Sequence, residues 1–297
     1  MKKPNSPKKM YFQFFILFFF VLLSNDIFPK EKEQTDFIPL SFINETSNIS
    51  GIFFKAVLEK PAPTAILAHG YPGRDGDIKE IGSFLKNEGV NTYIFNYRGT
   101  WKSEGLFSVN NAVSDLIKSV EFLKLPEISK KYNIDTTDII MMGYSWGGGI
   151  VFLSGKSCPS IKKIISMATT DLKLISEKIE SDSSYKILNL NTMKRHTDSG
   201  IIRFDRTAEE IQSWLSEHKN ELDLSKTLDA LSDIKILFIG GWNDINVPVE
   251  KHMIPLYRFF QDRILSNCKL ILFDSDHSFN NVLPELHKSI LDWIKKK

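Results

Sequence analysis

Residues 138–147 read Asp-Ile-Ile-Met-Met-Gly-Tyr-Ser-Trp-Gly, an apolar run followed by glycine, serine and glycine at alternate positions. This spacing is typical of a sharp turn from a strand into a helix, because small residues two before and two after the serine avoid backbone clashes. Such a turn exposes the Ser145 hydroxyl above the helix N-terminus, whose dipole favours negative charge. The segment therefore predicts a strand, a candidate nucleophile and a helix in direct succession.

Apolar runs and helix-length stretches alternate on both sides of this turn. The predicted strands are Thr64–Ala68, Val90–Asn96, Ile139–Met142, Lys163–Ala168, Lys235–Ile239 and Leu270–Phe273. The predicted helices are Ile78–Asn87, Ala112–Leu123, Gly148–Ser154, Val249–Arg263 and Pro284–Lys297. This alternation is typical of a parallel sheet with helices on both faces, and two earlier runs, Phe37–Ile43 and Ile52–Leu58, predict an antiparallel hairpin. The fold class is therefore α/β, with about eight strands.

Residues 171–231 interrupt the alternation, because they contain no convincing strand and are highly polar. Apolar residues recur at helical spacing around Ala208–His218. A structureless loop of this length is improbable in a compact domain, so we expect a helical cap inserted over the carboxyl edge of the sheet. The alternative is that residues 171–231 form a mobile loop on the surface.

Composition excludes several classes of protein. The 297 residues are 42% hydrophobic and 25% charged, an ordinary globular balance that rules out collagen-like, coiled-coil and wholly disordered chains. Two cysteines, Cys158 and Cys268, cannot form a disulfide framework or a four-cysteine zinc site, although they could pair with each other. The histidines and carboxylates show no convincing metal-ligand spacing, and no nucleic-acid-binding module is recognisable.

The first 30 residues have the pattern of a targeting segment. Four lysines, at positions 2, 3, 8 and 9, precede an apolar run over residues 11–23 that only Gln13 interrupts. Thirteen residues span about 20 Å as a helix, less than a bilayer core, so we expect a secretory signal, with an uncleaved signal anchor as the alternative. Residues 31–36 would be a linker and 37–297 the working domain. We therefore expect export, with membrane contact only through the leader.

A second glycine turn follows the first parallel strand. Residues 69–73 read His-Gly-Tyr-Pro-Gly, directly after the run that ends at Ala68. A loop here would turn the Tyr71 N–H towards the serine, where it would form an oxyanion hole with the Trp146 N–H. His69 precedes a tight turn, so we expect it to hold the loop rather than to act as a base.

An acid and a base follow the last two strands. Asp244 lies in the segment Gly-Gly-Trp-Asn-Asp after Ile239, and His277 follows the run that ends at Phe273. Serine, aspartate and histidine in this chain order are typical of an enzyme with a nucleophile elbow, in which the histidine takes the serine proton and the aspartate orients the histidine. Asp276 and Asp274 are rival orienting acids, but near neighbours rarely face the ring correctly.

With these motifs in place, the chain resembles the α/β-hydrolases of the serine-aminopeptidase and esterase-like group. It is similar in pattern to dienelactone-hydrolase-like and prolyl-oligopeptidase-like catalytic domains over roughly residues 50–295. Residues 96–105, Asn-Tyr-Arg-Gly-Thr-Trp-Lys-Ser-Glu-Gly, resemble the family segment after the fourth strand, with Asn96 in place of an acidic residue and Arg98 usually structural. The resemblance implies Ser145 as nucleophile, Asp244 as acid and His277 as base.

The resemblance also implies a serine hydrolase without a cofactor. The leading hypothesis is cleavage of a small-molecule carboxylic ester, and the alternative is a peptidase acting on short peptides. Such peptidases commonly need an acidic anchor for the substrate amine, and the cap offers five candidates: Glu177, Glu180, Asp182, Glu209 and Glu210. A non-catalytic binding domain of the same fold is the hypothesis from a different functional class.

Overall fold

In the computed structural model, which describes residues 36–264 and 267–296, eight strands form one mostly parallel sheet. The first four strands are β1 (Ile38–Pro39), β2 (Phe42–Asn44), β3 (Ser47–Ile49) and β4 (Gly51–Phe54), and the later ones are β5 (Ala62–Ala68), β6 (Asn91–Phe95), β7 (Ile134–Tyr144), β8 (Lys163–Met167), β9 (Lys235–Gly241) and β10 (Cys268–Phe273). The order of these eight strands in the sheet is β1-β4-β6-β5-β7-β8-β9-β10. Strand β4 pairs antiparallel with both β1 and β6, and all the other neighbouring strands of the sheet pair parallel. The predicted leader, residues 1–30, and most of the predicted linker lie outside the described residues.

Helices cover both faces of this sheet. They are α1 (Lys79–Asn87), α2 (Val109–Lys124), α3 (Pro126–Tyr132), α4 (Trp146–Gly155), α5 (Leu172–Ser181), α6 (Ser183–Asp198), α7 (Ala208–Glu217), α8 (Leu228–Leu231), α9 (Val249–His252), α10 (Ile254–Ile264) and α11 (Leu283–Lys295). Alternate side chains of each strand point to opposite faces. Ile66 accordingly belongs to the core beneath α2, α4 and α10, whereas Leu67 belongs to the core beneath α1 and α11. The predicted α/β class and parallel sheet are confirmed.

Residues 171–231, which we call the cap, contain helices α5 to α8 and a 3-10 turn at Leu224–Thr227. Backbone hydrogen bonds attach the middle of the cap, between α6 and α7, to the loop after β6. The Arg203 N–H donates to Gly99 O (2.7 Å), the Phe107 N–H to Arg203 O (2.6 Å) and the Asp205 N–H to Phe107 O (3.1 Å). These bonds fix the segment around residue 203 against the body of the protein.

Two local elements differ from the sequence prediction. The predicted hairpin between residues 37–43 and 52–58 divides, because a turn at Glu45 (φ 55°) folds β2 back onto β3. The predicted helix from 249 to 263 breaks at Met253. Pro255 accounts for the break, since proline has no N–H to donate and its ring clashes with the carbonyl one turn earlier.

A buried ionic cluster holds the loop after β6 to α2. Asp115 has no exposed side-chain surface; it accepts hydrogen bonds from the Arg98 backbone N–H (2.7 Å), from the Arg98 guanidinium and from Asn44 Nδ2 (2.7 Å). Glu45 also pairs with Arg98 (2.7 Å), but its side chain is 71% exposed. The inner half of the cluster therefore depends on the Asp115 carboxylate.

We expect Asp115→Leu to lower the free energy of unfolding by about 3–5 kcal/mol, because it leaves most of a buried guanidinium without its counter-charge. The matched control is Glu45→Gln, which removes an exposed ion pair and should cost no more than about 1 kcal/mol. Urea unfolding followed by circular dichroism measures both. Equal losses in the two variants would contradict this account of the cluster.

Candidate active site

Ser145 lies at the sharp turn between β7 and α4. Its backbone adopts φ 56° and ψ −121°, a conformation that L-residues rarely hold. A Cβ atom on Gly147 would clash with the carbonyl oxygen of Ala68, and one on Gly143 would clash with Gly147. The two glycines of the motif are therefore required by close approach of the backbone, which explains their spacing around the serine.

A chain of hydrogen bonds runs from Ser145 to Asp244. His277 Nε2 lies 3.0 Å from Ser145 Oγ, and His277 Nδ1 lies 2.6 Å from Asp244 Oδ2. The second carboxylate oxygen of Asp244 accepts the backbone N–H groups of Asn246 (2.9 Å) and Val247 (2.8 Å). The Asp244 side chain has no exposed surface, so its charge is directed at the imidazole and at these two donors. The structure thus brings the three predicted residues together.

The topology of the sheet explains this meeting. Ser145, Asp244 and His277 follow β7, β9 and β10, three strands whose carboxyl ends lie at the same edge. The Tyr144 hydroxyl donates to His277 O (2.9 Å) and so holds the histidine loop against the serine turn.

The rival acids are engaged elsewhere. Asp276 accepts the N–H (2.9 Å) and the hydroxyl (2.6 Å) of Ser278, and Asp274 accepts from Asn243 Nδ2 (2.7 Å). Within the described residues, neither carboxylate contacts the imidazole through an ion pair or a hydrogen bond. Asp244 is therefore the acid that orients His277 in this geometry.

The loop after β5 lies directly beside Ser145. A Cβ atom on Gly70 would be 3.1 Å from Ser145 Cβ, so only glycine fits comfortably at this position. His69 is 2% exposed, and burial lowers its pKa to about 4, so the ring is neutral and its Nδ1–H donates to Gly70 O (2.7 Å). The Tyr97 hydroxyl donates to His69 O (3.0 Å). These bonds fix the backbone that leads to Tyr71.

Two backbone donors border Ser145. Trp146 is the first residue of α4, and the first N–H groups of a helix have no intrahelical acceptor. Tyr71 N–H likewise has no acceptor in the part of the chain that the structure describes. This arrangement suits the stabilisation of an oxyanion, the role that the sequence predicts for both groups.

Sequence reasoning missed one contact at this site. The Tyr71 hydroxyl lies 3.1 Å from Nδ1 of His196, a histidine near the end of α6. The two rings meet edge to face, with their centroids 5.4 Å apart. The cap therefore contacts the loop that carries the predicted oxyanion donor. Residues 125 positions apart form this contact, and no local pattern could have revealed it.

A cleft between the cap and the sheet edge leads to Ser145. Its free space, including the open mouth, is about 820 Å³. The lining is mostly aliphatic and aromatic. Its polar members besides Ser145 are Tyr71, Thr170, Tyr185 and Asn189. Its apolar members are Phe107, Val109, Trp146, Leu172, Ile175, Met193, Phe204, Ile211, Leu215 and Val247. The described lining contains no aspartate, glutamate, lysine or arginine. The cleft thus suits a neutral, largely apolar group.

The described residues contain neither a candidate metal site nor a helix able to span a membrane. No group of three or more histidine, cysteine, aspartate or glutamate side chains there is placed to hold a metal ion. Across residues 36–264 and 267–296, no helix has the length and apolar character needed to cross a bilayer. Cys158 and Cys268 are free thiols, so the pairing that the sequence left open does not occur.

Comparison with known sequences finds relatives of part of this chain. The family model described as serine aminopeptidase, S33, matches residues 59–195. Among curated proteins, YfhR of Salmonella typhi is 23% identical over 133 residues, which cover 44% of this chain and 42% of that protein, less than half of its length.

Two solved structures show the same architecture over most of the chain. Est1E from Butyrivibrio proteoclasticus superposes with a TM-score of 0.64 at 17% identity, covering 86% of this chain and 97% of that one. The Pyrococcus furiosus esterase Pf2001 gives 0.62 at 17% identity, covering 87% and 90%. The chain therefore has an α/β-hydrolase fold. The similarity to the serine aminopeptidase family is limited to residues 59–195, which are less than half of the chain.

Proposed function

We propose that this protein hydrolyses a carboxylic ester through an acyl-enzyme. The observation that carries the proposal is the unbroken hydrogen-bond chain from Asp244 through His277 to Ser145, at the base of an open cleft. A serine hydroxyl becomes an effective nucleophile when a neighbouring base accepts its proton. His277 Nε2 has the distance that this transfer requires.

In the proposed reaction, Ser145 Oγ attacks the ester carbonyl carbon while His277 Nε2 takes the serine proton. The oxyanion accepts hydrogen bonds from the Tyr71 and Trp146 N–H groups, and Asp244 stabilises the imidazolium. The tetrahedral intermediate expels the alcohol, which receives the proton from His277. Water then attacks the acyl-enzyme with His277 as base, and the acid and free Ser145 are released.

The cleft favours an ester over an aminopeptidase substrate. None of the five acidic anchor candidates lies in the described lining. Glu180 pairs with Lys219, Glu209 pairs with Lys194, and Glu210 accepts from Thr207 in a capping box. A substrate ammonium group in this cleft would have no counter-charge, and burying an unpaired charge is costly.

The test compares hydrolysis of p-nitrophenyl alkanoates of increasing chain length with hydrolysis of aminoacyl p-nitroanilides by the full chain. We expect kcat/KM to favour the esters by at least about 100-fold, since an unpaired ammonium costs several kcal/mol. Enzyme treated beforehand with a fluorophosphonate is the control and should be inactive. Preference for the anilides would support the peptidase, and a folded protein inactive on both series would support a binding domain.

A further inference from the structure

Gln212 fixes the orientation of the Asn189 side chain. Gln212 lies on α7, is 4% exposed, and donates through Nε2 to Lys186 O (2.9 Å) and to Asn189 Oδ1 (3.0 Å). The carbonyl end of the Asn189 amide is therefore occupied by a buried donor. Its NH₂ end forms no hydrogen bond within the described residues, although Asn189 lines the cleft.

The Asn189 amide differs from the other polar groups of the cleft in its hydrogen-bonding capacity, because its free end can only donate. The hydroxyls of Thr170 and Tyr185 can each donate or accept, so they do not discriminate between ligand atoms. The Tyr71 hydroxyl is already paired with His196. The fixed NH₂ of Asn189 can only donate, and a group that cannot accept from it leaves a donor without a partner.

We propose that Asn189 is a specificity-determining residue that selects acyl groups carrying a neutral acceptor oxygen, such as a keto, hydroxyl or ether group. The inference rests on the proposed ester hydrolysis and adds the class of acyl group. A neutral oxygen is specified because the described lining of the cleft holds no cation to balance a carboxylate. The apolar remainder of the lining accommodates the hydrocarbon part of the chain.

The experiment uses p-nitrophenyl octanoate and a series in which a carbonyl replaces one methylene at successive positions beyond the β-carbon. For the wild-type chain, we expect one position to give a kcat/KM about tenfold above its neighbours, mainly through KM, since this is the size of one hydrogen bond between neutral groups. Asn189→Leu should abolish the maximum. Asn191→Leu, a change on the exposed side of the same helix, should retain it.

The possible outcomes distinguish a failure of the role of Asn189 from a failure of the proposed ester hydrolysis. Turnover of the alkyl ester with a flat keto series, or an unchanged maximum in Asn189→Leu, overturns the role of Asn189 and leaves ester hydrolysis standing. Failure to hydrolyse any ester overturns both. Thermal melting of each variant verifies that it is folded. Gln212→Leu frees the Asn189 amide to rotate, so it should weaken the kcat/KM maximum of the keto-ester series.

Discussion

Ser145→Ala is expected to lower kcat on p-nitrophenyl esters by about 10⁶-fold, because the nucleophile and its base act as one unit. For the same reason, the double variant Ser145→Ala with His277→Ala should be no slower than the single variant. Once the nucleophile is absent, the imidazole 3.0 Å away has no proton to take from it. Initial rates at saturating ester, with highly purified protein, measure both effects.

The residual rate carries information as well. The two backbone donors remain in Ser145→Ala, so its activity should still exceed the uncatalysed rate. A double variant that is further reduced by a large factor would show that His277 activates water directly, without an acyl-enzyme. Retention of wild-type activity by Ser145→Ala would remove the proposed mechanism altogether.

Asp244→Asn is expected to lower kcat by about 10⁴-fold while leaving the fold intact. The Asp244 carboxylate accepts from His277 Nδ1 and from two backbone N–H groups. The single side-chain oxygen of asparagine can accept either from the imidazole or from the backbone N–H groups, but not from both. We expect it to face the backbone donors. Its NH₂ would then face the ring and favour the tautomer with its proton on Nε2, which cannot accept from serine.

The matched control for this prediction is Asp276→Asn, which makes the same chemical change next to the histidine. Asp276 bonds only within its own turn, so we expect a change in kcat of about threefold or less, the range of a surface substitution. A larger loss in Asp276→Asn than in Asp244→Asn would reverse the assignment of the orienting acid. Steady-state kinetics on one ester is sufficient for the comparison.

The sequence predicts well those features that depend on neighbours in the chain. The turn at Ser145 needs glycines two residues away, and the close contacts of Gly143 and Gly147 give the physical reason. The structure also brings Asp244 and His277 to the serine, as strand order implies, although their catalytic roles stay predictions. Export through the leader, residues 1–30, stays a prediction too.

Features that depend on distant contacts could not be predicted in this way. His252 is 7% exposed; its Nδ1 accepts from the Asp171 N–H (3.2 Å), and burial lowers its pKa to about 4. His196 meets Tyr71 by a similar long-range contact. Helical spacing shows which face of a helix is apolar, but it does not show which polar partner the packing of the cap supplies.

The attachment of the cap has a consequence for how this protein can diversify. Arg203 and Asp205 bond to the body through main-chain atoms, and Phe204 between them lines the cleft. Main-chain hydrogen bonds do not depend on side-chain identity, except at proline. Substitutions at residue 204 can therefore reshape the cleft while the wall that bears them stays anchored. Variation at this single position can thus change what the cleft accommodates without loosening the cap.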